Sequence, residues 1–488
     1  MKSLLAENQT NKLFSHEELA ALYREGCLKP AKLKSSINEG FGFIFNEYNN
    51  FFKVGQKNQK EKAKKYLSGL FCTERGKRNI ERMVEEVTGS EYESLQHFIS
   101  NSPWDTQGLM KQLSQTVSKE LQPFGLVGCT VDEKAHLKKG IKSVGVTRQY
   151  AGTSGKIDNC QVGVYLSLCA GKYANITNYR LYLPKEWTDN KKRCINAGVP
   201  EKQVVFKTKP ELGLEMVKEH IENGVHFDFI NGDGLYGNGY TFSKGVAAWG
   251  MKYVLDVHSN QQVYLQKPII KIPDSQEVKS GRKPTLPKPD VKGISVAEYE
   301  KTLRKADYKE VRIRPTTKGW LTALIHVAKV WVWDEQGGDL EAIEQTLVMR
   351  KPVHKKDKIK YSLSNIKIEE QSIEDFAFMQ AQRFWIERCF RDDSHDLGMS
   401  DYQVRTYKGF KNHMALTCVA MQYVMRERIK NRIELPLLSY NDVRILLAKE
   451  IRERADYDCE DMRIEQMSKR HKQRAKDIMR YYNVDLPK

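Results

Sequence analysis

The sequence lacks long apolar runs, paired cysteines and an excess of acidic residues. No stretch approaches the roughly 18 consecutive apolar residues that a membrane span needs, and the opening MKSLLAENQTNKLF has neither the apolar segment nor the cleavage site of a signal peptide. The nine cysteines are scattered and include no C-x-x-C pair, which argues against a zinc ribbon or a disulfide framework. These absences predict a cytoplasmic protein with reduced thiols and no membrane partner.

What the chain has in excess is positive charge. Lys and Arg number 80 against 62 Asp and Glu, which gives the 488 residues a formal net charge of +18. A hydrophobic content of 40% is enough for an ordinary globular core, so the chain is neither disordered nor fibrous. Because a basic surface on a folded chain attracts polyanions, nucleic acid is the first expected partner.

The hydrophobic pattern changes along the chain and predicts several segments. Residues 1–110 have helical spacing, with a Ser-x-x-Glu capping box in SHEELAALYREG (15–26). From about residue 122, short β-rich runs alternate with amphipathic helices in an α/β pattern. Pro and Lys interrupt that pattern at 267–295. Three β-rich runs follow, at 319–334, 341–353 and 358–366, and helical spacing resumes at 372. The predicted segments are a basic helical region (1–110), two parts of an α/β core (111–265 and 371–425), a β-rich insertion (266–370) and a basic helical C-terminal region (426–488).

Three acids stand out by their positions. Asp132 ends the first predicted strand, Asp233 ends the fourth, and Glu387 lies on a helix after the insertion. If the first and fourth strands are neighbours, as in a ribonuclease-H-like sheet, these carboxylates surround one point. Their repulsion, on the order of 4 kcal/mol for a pair about 4 Å apart, would be relieved by two Mg²⁺ ions able to clamp a scissile phosphate. Gly232 and Gly234 would then leave room for a nucleic-acid backbone. The alternative is an ordinary Asp-Gly turn and a glutamate on a solvated helix face.

Five blocks of sequence carry a family resemblance. They are NSPWD (101–105), VDEKAHLKKGIKSVGVTRQYAGTSGKIDNCQVGVYLSL (131–168), YRLYLPKEWTDN (179–190), NGDGLYGNG (231–239) and RFWIERCFRDDSHDLGMSDYQVRTYKGFKNHMAL (383–416). With these blocks the sequence resembles the DDE transposases of bacterial insertion sequences, in the insertion sequence 4 supergroup and close to its branch 701. The resemblance implies a ribonuclease-H-like core with a β-rich insertion. It places the catalytic, metal-binding acids at Asp132, Asp233 and Glu387, with two Mg²⁺ ions for which Mn²⁺ can substitute.

The supergroup's motif around its glutamate is Tyr, two residues, Arg, three residues, Glu, six residues, Lys. Arg383 fills the arginine position, one helical turn before Glu387 and on the same face. Gln380 stands at the tyrosine position and Ser394 at the lysine position. The resemblance therefore implies that Arg383 steadies a phosphate. With the lysine absent, either His395 or Arg391 takes its place, or the enzyme is slow or a decayed copy.

Further DNA contacts are predicted from basic or aromatic side chains near the three acids. The predicted contacts are Arg383, Lys138, Lys139, Lys142, Arg148, Tyr236 and His395, with Arg391 as the alternative to His395. Tyr236 would stack on an unpaired base, and the others would bind phosphates. The basic residues that follow Asp132 equally fit the solvated surface of a hairpin. The N-terminal helices and the basic segment SKRHKQRAK (468–476) would add contacts that weaken with salt.

The predicted function is a Mg²⁺-dependent DNA transposase that binds the terminal inverted repeats of its element. It would hydrolyse a phosphodiester at each end and join the freed 3′-hydroxyl to target DNA. Two ends must meet in one complex, so a homodimer on double-stranded DNA is expected, at the nucleoid of a bacterial cytoplasm. Two alternatives stay open: a nuclease of the same fold that does not join strands, and a transposase-derived DNA-binding protein without catalysis.

Overall fold

The computed structural model describes residues 30–453, apart from 273–285, 317–318, 336, 338, 354–357, 434 and 436–437. Two predicted helices, over 15–26 and over the basic segment 468–476, lie outside the described residues. Among the helices that are described, none is both long and apolar enough to cross a membrane.

A group of helices and a short hairpin precede the main sheet. An aromatic cluster holds them together, because the ring of Trp104 lies 5.1 Å from that of Phe52 and 6.1 Å from that of Phe98, measured between centroids. Asp105, which ends the NSPWD block, caps the last of these helices by accepting a 2.8 Å hydrogen bond from the Gly108 amide. The elements are α1 (Pro30–Tyr48), β1 (Lys53–Val54), β2 (Lys57–Asn58), α2 (Lys60–Cys72), α3 (Ile80–Glu86), α4 (Tyr92–Ser100) and α5 (Thr106–Leu121).

The next four strands form an antiparallel arrangement around one long strand. β3 (Gly128–Leu137) pairs with one edge of β5 (Lys156–Ala170). The other edge of β5 is shared by β4 (Thr147–Ala151) and β6 (Tyr173–Leu181). Three helices follow, of which the last packs against β5 and β6: α6 (Lys185–Thr188), α7 (Lys191–Asn196) and α8 (Lys209–Glu222).

Two parallel strands complete the core. β7 (Phe229–Gly232) pairs with β3, and β8 (Tyr253–Val257) pairs with β7, both in parallel. The helices α9 (Gly234–Gly237) and α10 (Tyr240–Ala248) form the crossover between them. The resulting order, β6-β5-β3-β7-β8, is three antiparallel strands followed by two parallel ones. That is the order of a ribonuclease-H-like sheet, so the predicted fold class is confirmed.

The β-rich insertion extends this same sheet. Its first elements are short: β9 (Gln262–Val263), β10 (Ile270–Lys271), β11 (Lys288–Pro289), β12 (Ile294–Ser295) and α11 (Val296–Thr302). Four strands then pair consecutively: β13 (Lys309–Thr316), β14 (Gly319–Val332), β15 (Ile343–Pro352) and β16 (Lys360–Ser364). Because the edge of β8 would otherwise leave backbone groups unpaired, β16 adds antiparallel to it and the described sheet reaches ten strands.

Helices end the described chain and connect its two halves. They are α12 (Ile373–Gln382), α13 (Phe384–Asp396), α14 (Tyr407–Lys430) and α15 (Tyr440–Glu453). α14 is buried along most of its length, because it packs against β6 and also against α1, α2, α4 and α5. The helix predicted around the glutamate is divided at Arg383, where α12 ends and α13 begins.

Candidate active site

Three aspartates lie in one row across the parallel strands. The strand register aligns Val131 of β3 with Gly232 of β7, and aligns that glycine with Leu255 of β8. The next residue on each strand is an aspartate: Asp132, Asp233 and Asp256. Neighbouring strands lie about 4.8 Å apart, so the register brings these carboxylates together where open α/β sheets bind ligands, at the carboxyl ends of the parallel strands.

The prediction that Asp132 ends its strand is wrong. β3 continues to Leu137, and only its parallel pairing with β7 stops before Asp132. The antiparallel pairing with β5 continues through this region and joins Asp132 to Tyr165. Asp132 is therefore held on a rigid strand, whereas Asp233 follows the last residue of β7 and caps α9.

α13 brings Glu387 to the same place through Arg383. The guanidinium of Arg383 donates from Nε to Asp256 at 3.0 Å, and its Nη2 lies 2.7 Å from the carboxylate of Glu387. Its Nη1 lies 3.7 Å from the carboxylate of Asp132. One cation thus links three carboxylates that come from two strands and a helix. The Glu387 side chain remains 51% exposed, so it is still open to a ligand.

Sequence reasoning missed Asp256, although the sequence contains a signal for it. Asp256 is the one charged residue of YVLDV (253–257), and the other four residues of that strand are buried. An acid inside an apolar strand requires polar partners. Here the partners are Arg383 and the hydroxyl of Ser362, which donates to Asp256 at 2.6 Å.

Gln380, at the motif's tyrosine position, faces the protein interior. Its side-chain amide donates to the Ser362 hydroxyl at 2.8 Å and to the Val348 carbonyl at 3.3 Å. Together with the hydrogen bond from Ser362 to Asp256, these contacts form a chain from α12 to the guanidinium of Arg383. Gln380 therefore supports the site from within the protein.

Negative charge is concentrated in the site where burial disfavours it. Burial, followed by the charge of Asp233, raises the pKa of Asp132 to about 8. Burial and then the charge of Glu133 raise the pKa of Asp233. Burial alone would lower the pKa of Arg383, but neighbouring carboxylates, that of Asp256 first, outweigh burial and raise it. The site therefore favours additional positive charge.

The glycines beside Asp233 serve packing inside the protein. A Cβ on Gly232 would lie 2.9 Å from the Cβ of Tyr236 and 3.0 Å from a methyl of Val131. A Cβ on Gly234 would lie 2.6 Å from the imidazole of His258. The prediction that these glycines leave room for a nucleic-acid backbone is wrong, because the protein's own side chains fill that room.

The predicted stacking role of Tyr236 is also wrong. The side chain is fully buried, and its ring packs edge-on against Phe242 with centroids 5.4 Å apart. Its hydroxyl donates to Glu133 at 3.2 Å, and Glu133 also pairs with Lys209 at 3.0 Å. The close packing of α9 against β8 places this tyrosine in the core, where no base can reach its ring.

The predicted basic contacts divide into buried and exposed residues. Lys138 donates to the Tyr402 carbonyl at 2.9 Å and lies 3.5 Å from the centre of that ring, while burial lowers its pKa to about 7. Lys138 is thus engaged by the protein and does not face a phosphate. Lys139 is exposed, as are Lys142 and Arg148, which line a groove of about 890 Å³ beside α7. Phosphate binding by these three stays a prediction.

A cleft of about 740 Å³ opens at the aspartate row. Besides the acids, basic side chains from several elements line it: Lys134, Lys209, Lys358, Lys360 and Arg391. Sequence reasoning missed Lys358 and Lys360, which are exposed and lie at the start of β16, since they belong to a lysine-rich stretch without a distinguishing pattern. Of the two proposed replacements for the motif's lysine, Arg391 lines the cleft, whereas the exposed His395 is not among its lining residues.

One protein family matches the part of the chain that contains the three strands with Asp132, Asp233 and Asp256. The model of the DDE superfamily endonucleases matches residues 50–319, more than half of the chain. The chain belongs to this family. The resemblance inferred from the five sequence blocks is thereby confirmed.

This chain has low sequence identity to the individual proteins that match it. It is 27% identical over 204 residues to the probable transposase for insertion sequence element IS701 of Microchaete diplosiphon. That match covers 41% of this chain and 50% of the relative, so the chain spans about half the length of the curated relative it matches. A cryo-EM structure of piggyBac transposase in a synaptic complex with hairpin DNA is similar over 93% of this chain and 85% of that one, with a TM-score of 0.37 and 12% identity. A likeness that distant supports no conclusion about the site.

DDE transposases generally use divalent metal ions, and the donor atoms of this site suit them. Carboxylate oxygens are the ligands that Mg²⁺ prefers, and burial first, then neighbouring carboxylates, raise the pKa values of Asp132 and Asp233. Within the described residues, no three His, Cys, Asp or Glu side chains already converge as metal ligands do. The guanidinium of Arg383 lies between two of the acids instead and contacts both Asp132 and Glu387.

Proposed function

We propose that this protein is a DNA transposase that cuts at the ends of its own element and joins them to target DNA. The observation that carries the proposal is the row of Asp132, Asp233 and Asp256, to which α13 adds Glu387 in a cleft with basic walls. The family match and the similarity to an insertion-sequence transposase support the same conclusion.

Asp132, Asp233 and Glu387 would hold the metal, as two Mg²⁺ ions for which Mn²⁺ can substitute. When bound, the ions supply Lewis-acid stabilisation of the phosphodiester during in-line displacement. The protein contributes position: strand pairing fixes Asp132, the end of β7 fixes Asp233, and α13 carries Glu387. Carboxylates held in this way need little rearrangement to become ligands.

Arg383 would change partners when the acids bind metal. Its Nε donates to Asp256, which leaves Nη1 and Nη2 directed toward Asp132 and Glu387. Once those two carboxylates are engaged elsewhere, both Nη groups can donate to a phosphate of the DNA. Asp256 is thus a positioning residue that aims Arg383.

Double-stranded DNA, as terminal inverted repeats and as target, is the proposed partner. Lys358, Lys360 and Arg391 line the cleft and would bind phosphates beside the reacting strand. The regions 1–110 and 426–488, which the sequence predicts to be helical and basic, would bind the element's ends. Because two ends must react together, we expect a homodimer on DNA, acting on the bacterial chromosome.

The test is cleavage and joining of a labelled duplex that carries the element's own flanking ends, with Mg²⁺, with Mn²⁺ and with EDTA. We expect nicked and joined products with either metal and none with EDTA. Metal-dependent nicking without joined product would indicate a nuclease instead. Salt-sensitive binding with no product in either metal would contradict catalysis altogether.

The double substitution Lys358→Ala/Lys360→Ala tests the basic wall of the cleft. Each phosphate contact contributes about 0.9 to the slope of log K against log salt. We therefore expect the slope for duplex DNA to become shallower by about 2, measured by fluorescence anisotropy at several salt concentrations.

The control for this experiment is Lys202→Ala/Lys218→Ala, which removes the same charge from exposed lysines that do not line the cleft. We expect this pair to leave the slope almost unchanged. Equal effects of the two double variants would show that net charge, rather than the cleft, accounts for DNA binding.

A further inference from the structure

An exposed apolar pair lies at the outer end of the cleft. Tyr150 of β4 and Ile157 of β5 are directly paired across the hairpin. Both are well exposed, at 63% for Tyr150 and 61% for Ile157. Single exposed apolar residues are ordinary, but two that face each other across a hairpin form a continuous apolar surface, and Tyr150 also lines the cleft of the aspartate row.

The strand register puts this pair on the same face of the sheet as the catalytic acids. Asp132 is paired with Tyr165 on β5, and directly paired antiparallel residues share a face. Every second residue of β5 from Tyr165 keeps that face, down to Ile157, and Ile157 pairs with Tyr150. Between the two, Gln161 and Tyr165 are fully buried, so the protein covers this face there. DNA would reach the apolar pair through the cleft, which Tyr150 lines.

Charge around the pair favours a polyanion as its partner. Arg148 lies two residues before Tyr150, on the same face of β4, and is exposed. Lys156, next to Ile157 in the chain, is exposed as well, but its side chain lies on the opposite face of the hairpin. An exposed aromatic ring beside a basic side chain on the same face can bind a base by stacking and a phosphate by charge.

We infer that Tyr150, supported by Ile157, stacks on an unpaired nucleobase of the DNA held in the cleft. This inference rests on the proposed function. It assigns to Tyr150 the stacking that the sequence predicted for the buried Tyr236. Eight residues of β5 separate Ile157 from Tyr165, so the stacked base lies up to about 26 Å from the aspartate row along the strand. Along a DNA duplex, this distance corresponds to up to about eight base pairs from the scissile phosphate.

The test compares two duplexes of the same length and charge, one fully paired and one with a single unpaired 2-aminopurine. We expect wild type to prefer the unpaired duplex and to quench its fluorescence. Tyr150→Ala should lose roughly 5- to 100-fold in affinity for the unpaired duplex and should leave the probe bright when bound. Its affinity for the paired duplex should stay near that of wild type, because the phosphate contacts remain.

Two further variants test whether the effect requires the aromatic ring of Tyr150. Tyr150→Phe keeps the aromatic face and should restore both preference and quenching. Leu340→Ala removes an exposed apolar side chain that does not line the cleft, and should behave as wild type.

The possible outcomes distinguish failure of the stacking inference from failure of the transposase proposal. If Tyr150→Ala keeps the wild-type preference and quenching, or weakens both duplexes equally, the stacking inference is wrong while the transposase proposal stands. If wild type binds neither duplex in a salt-sensitive way, the proposed function fails and the stacking inference fails with it.

Discussion

Replacing Asp233 by asparagine is expected to slow metal-dependent DNA cleavage on the order of 10³-fold while DNA binding stays intact. The asparagine oxygen can still accept the 2.9 Å hydrogen bond from the Leu235 amide, so the start of α9 is preserved. What is lost is one negative charge at the proposed metal site. The metal's stabilisation of transition-state charge is worth several kcal/mol, and about 4 kcal/mol corresponds to a 10³-fold change in rate.

Thermal unfolding without DNA supplies an independent measurement for Asp233→Asn. A ligand that binds only the folded chain stabilises it by about 2.7 kcal/mol at 100 times its Kd. Mn²⁺ should therefore raise the Tm of wild type and raise that of the variant much less. Asp189→Asn, which makes the same change at an exposed residue after α6, should match wild type in cleavage and in metal response. Wild-type cleavage and metal response in Asp233→Asn would show that Asp233 is not a metal ligand.

Asp256→Asn is expected to lower the single-turnover cleavage rate about 10- to 100-fold, the usual effect of removing a residue that orients a metal-site group. The amide can accept from Arg383 Nε with its oxygen and donate to the Ser362 hydroxyl with its nitrogen, so the fold is preserved. Without the carboxylate charge, however, Arg383 is no longer drawn toward β8. DNA affinity, measured separately, should change little.

A double-mutant cycle tests whether Asp256 acts through Arg383. In an Arg383→Gln background the guanidinium that Asp256 positions is absent, so adding Asp256→Asn should cost little more. Additive losses would instead mean that Asp256 contacts the metal or the DNA itself. Ser362→Ala removes one hydrogen bond from Asp256 and should reduce the rate in the same direction, but less.

Elements with strong local signals were predictable. The β-rich runs predicted strands at 319–334, 341–353 and 358–366, where the structure has β14, β15 and β16. The sequence also predicted a helix from residue 372. The structure has α12 there, and Ser372 and Asp375 form a capping box at its start. What such signals could not predict was the joining of these strands to the core sheet, because the edge-to-edge pairing of β16 with β8 depends on residues about a hundred positions apart.

The sequence by itself determined the succession of strands and helices, the basic character of the chain and the choice of Asp132, Asp233 and Glu387 as the acids to examine. The ribonuclease-H-like sheet was implied by the resemblance of the five blocks. Those inferences rest on periodicity, composition and motifs, which are written along the chain. Only the tertiary structure decided that Asp256 joins the row, that Arg383 links its carboxylates, and that Tyr236 is buried while Tyr150 is exposed. The physical reason is that register and burial are set by which distant strands pair and which faces pack together.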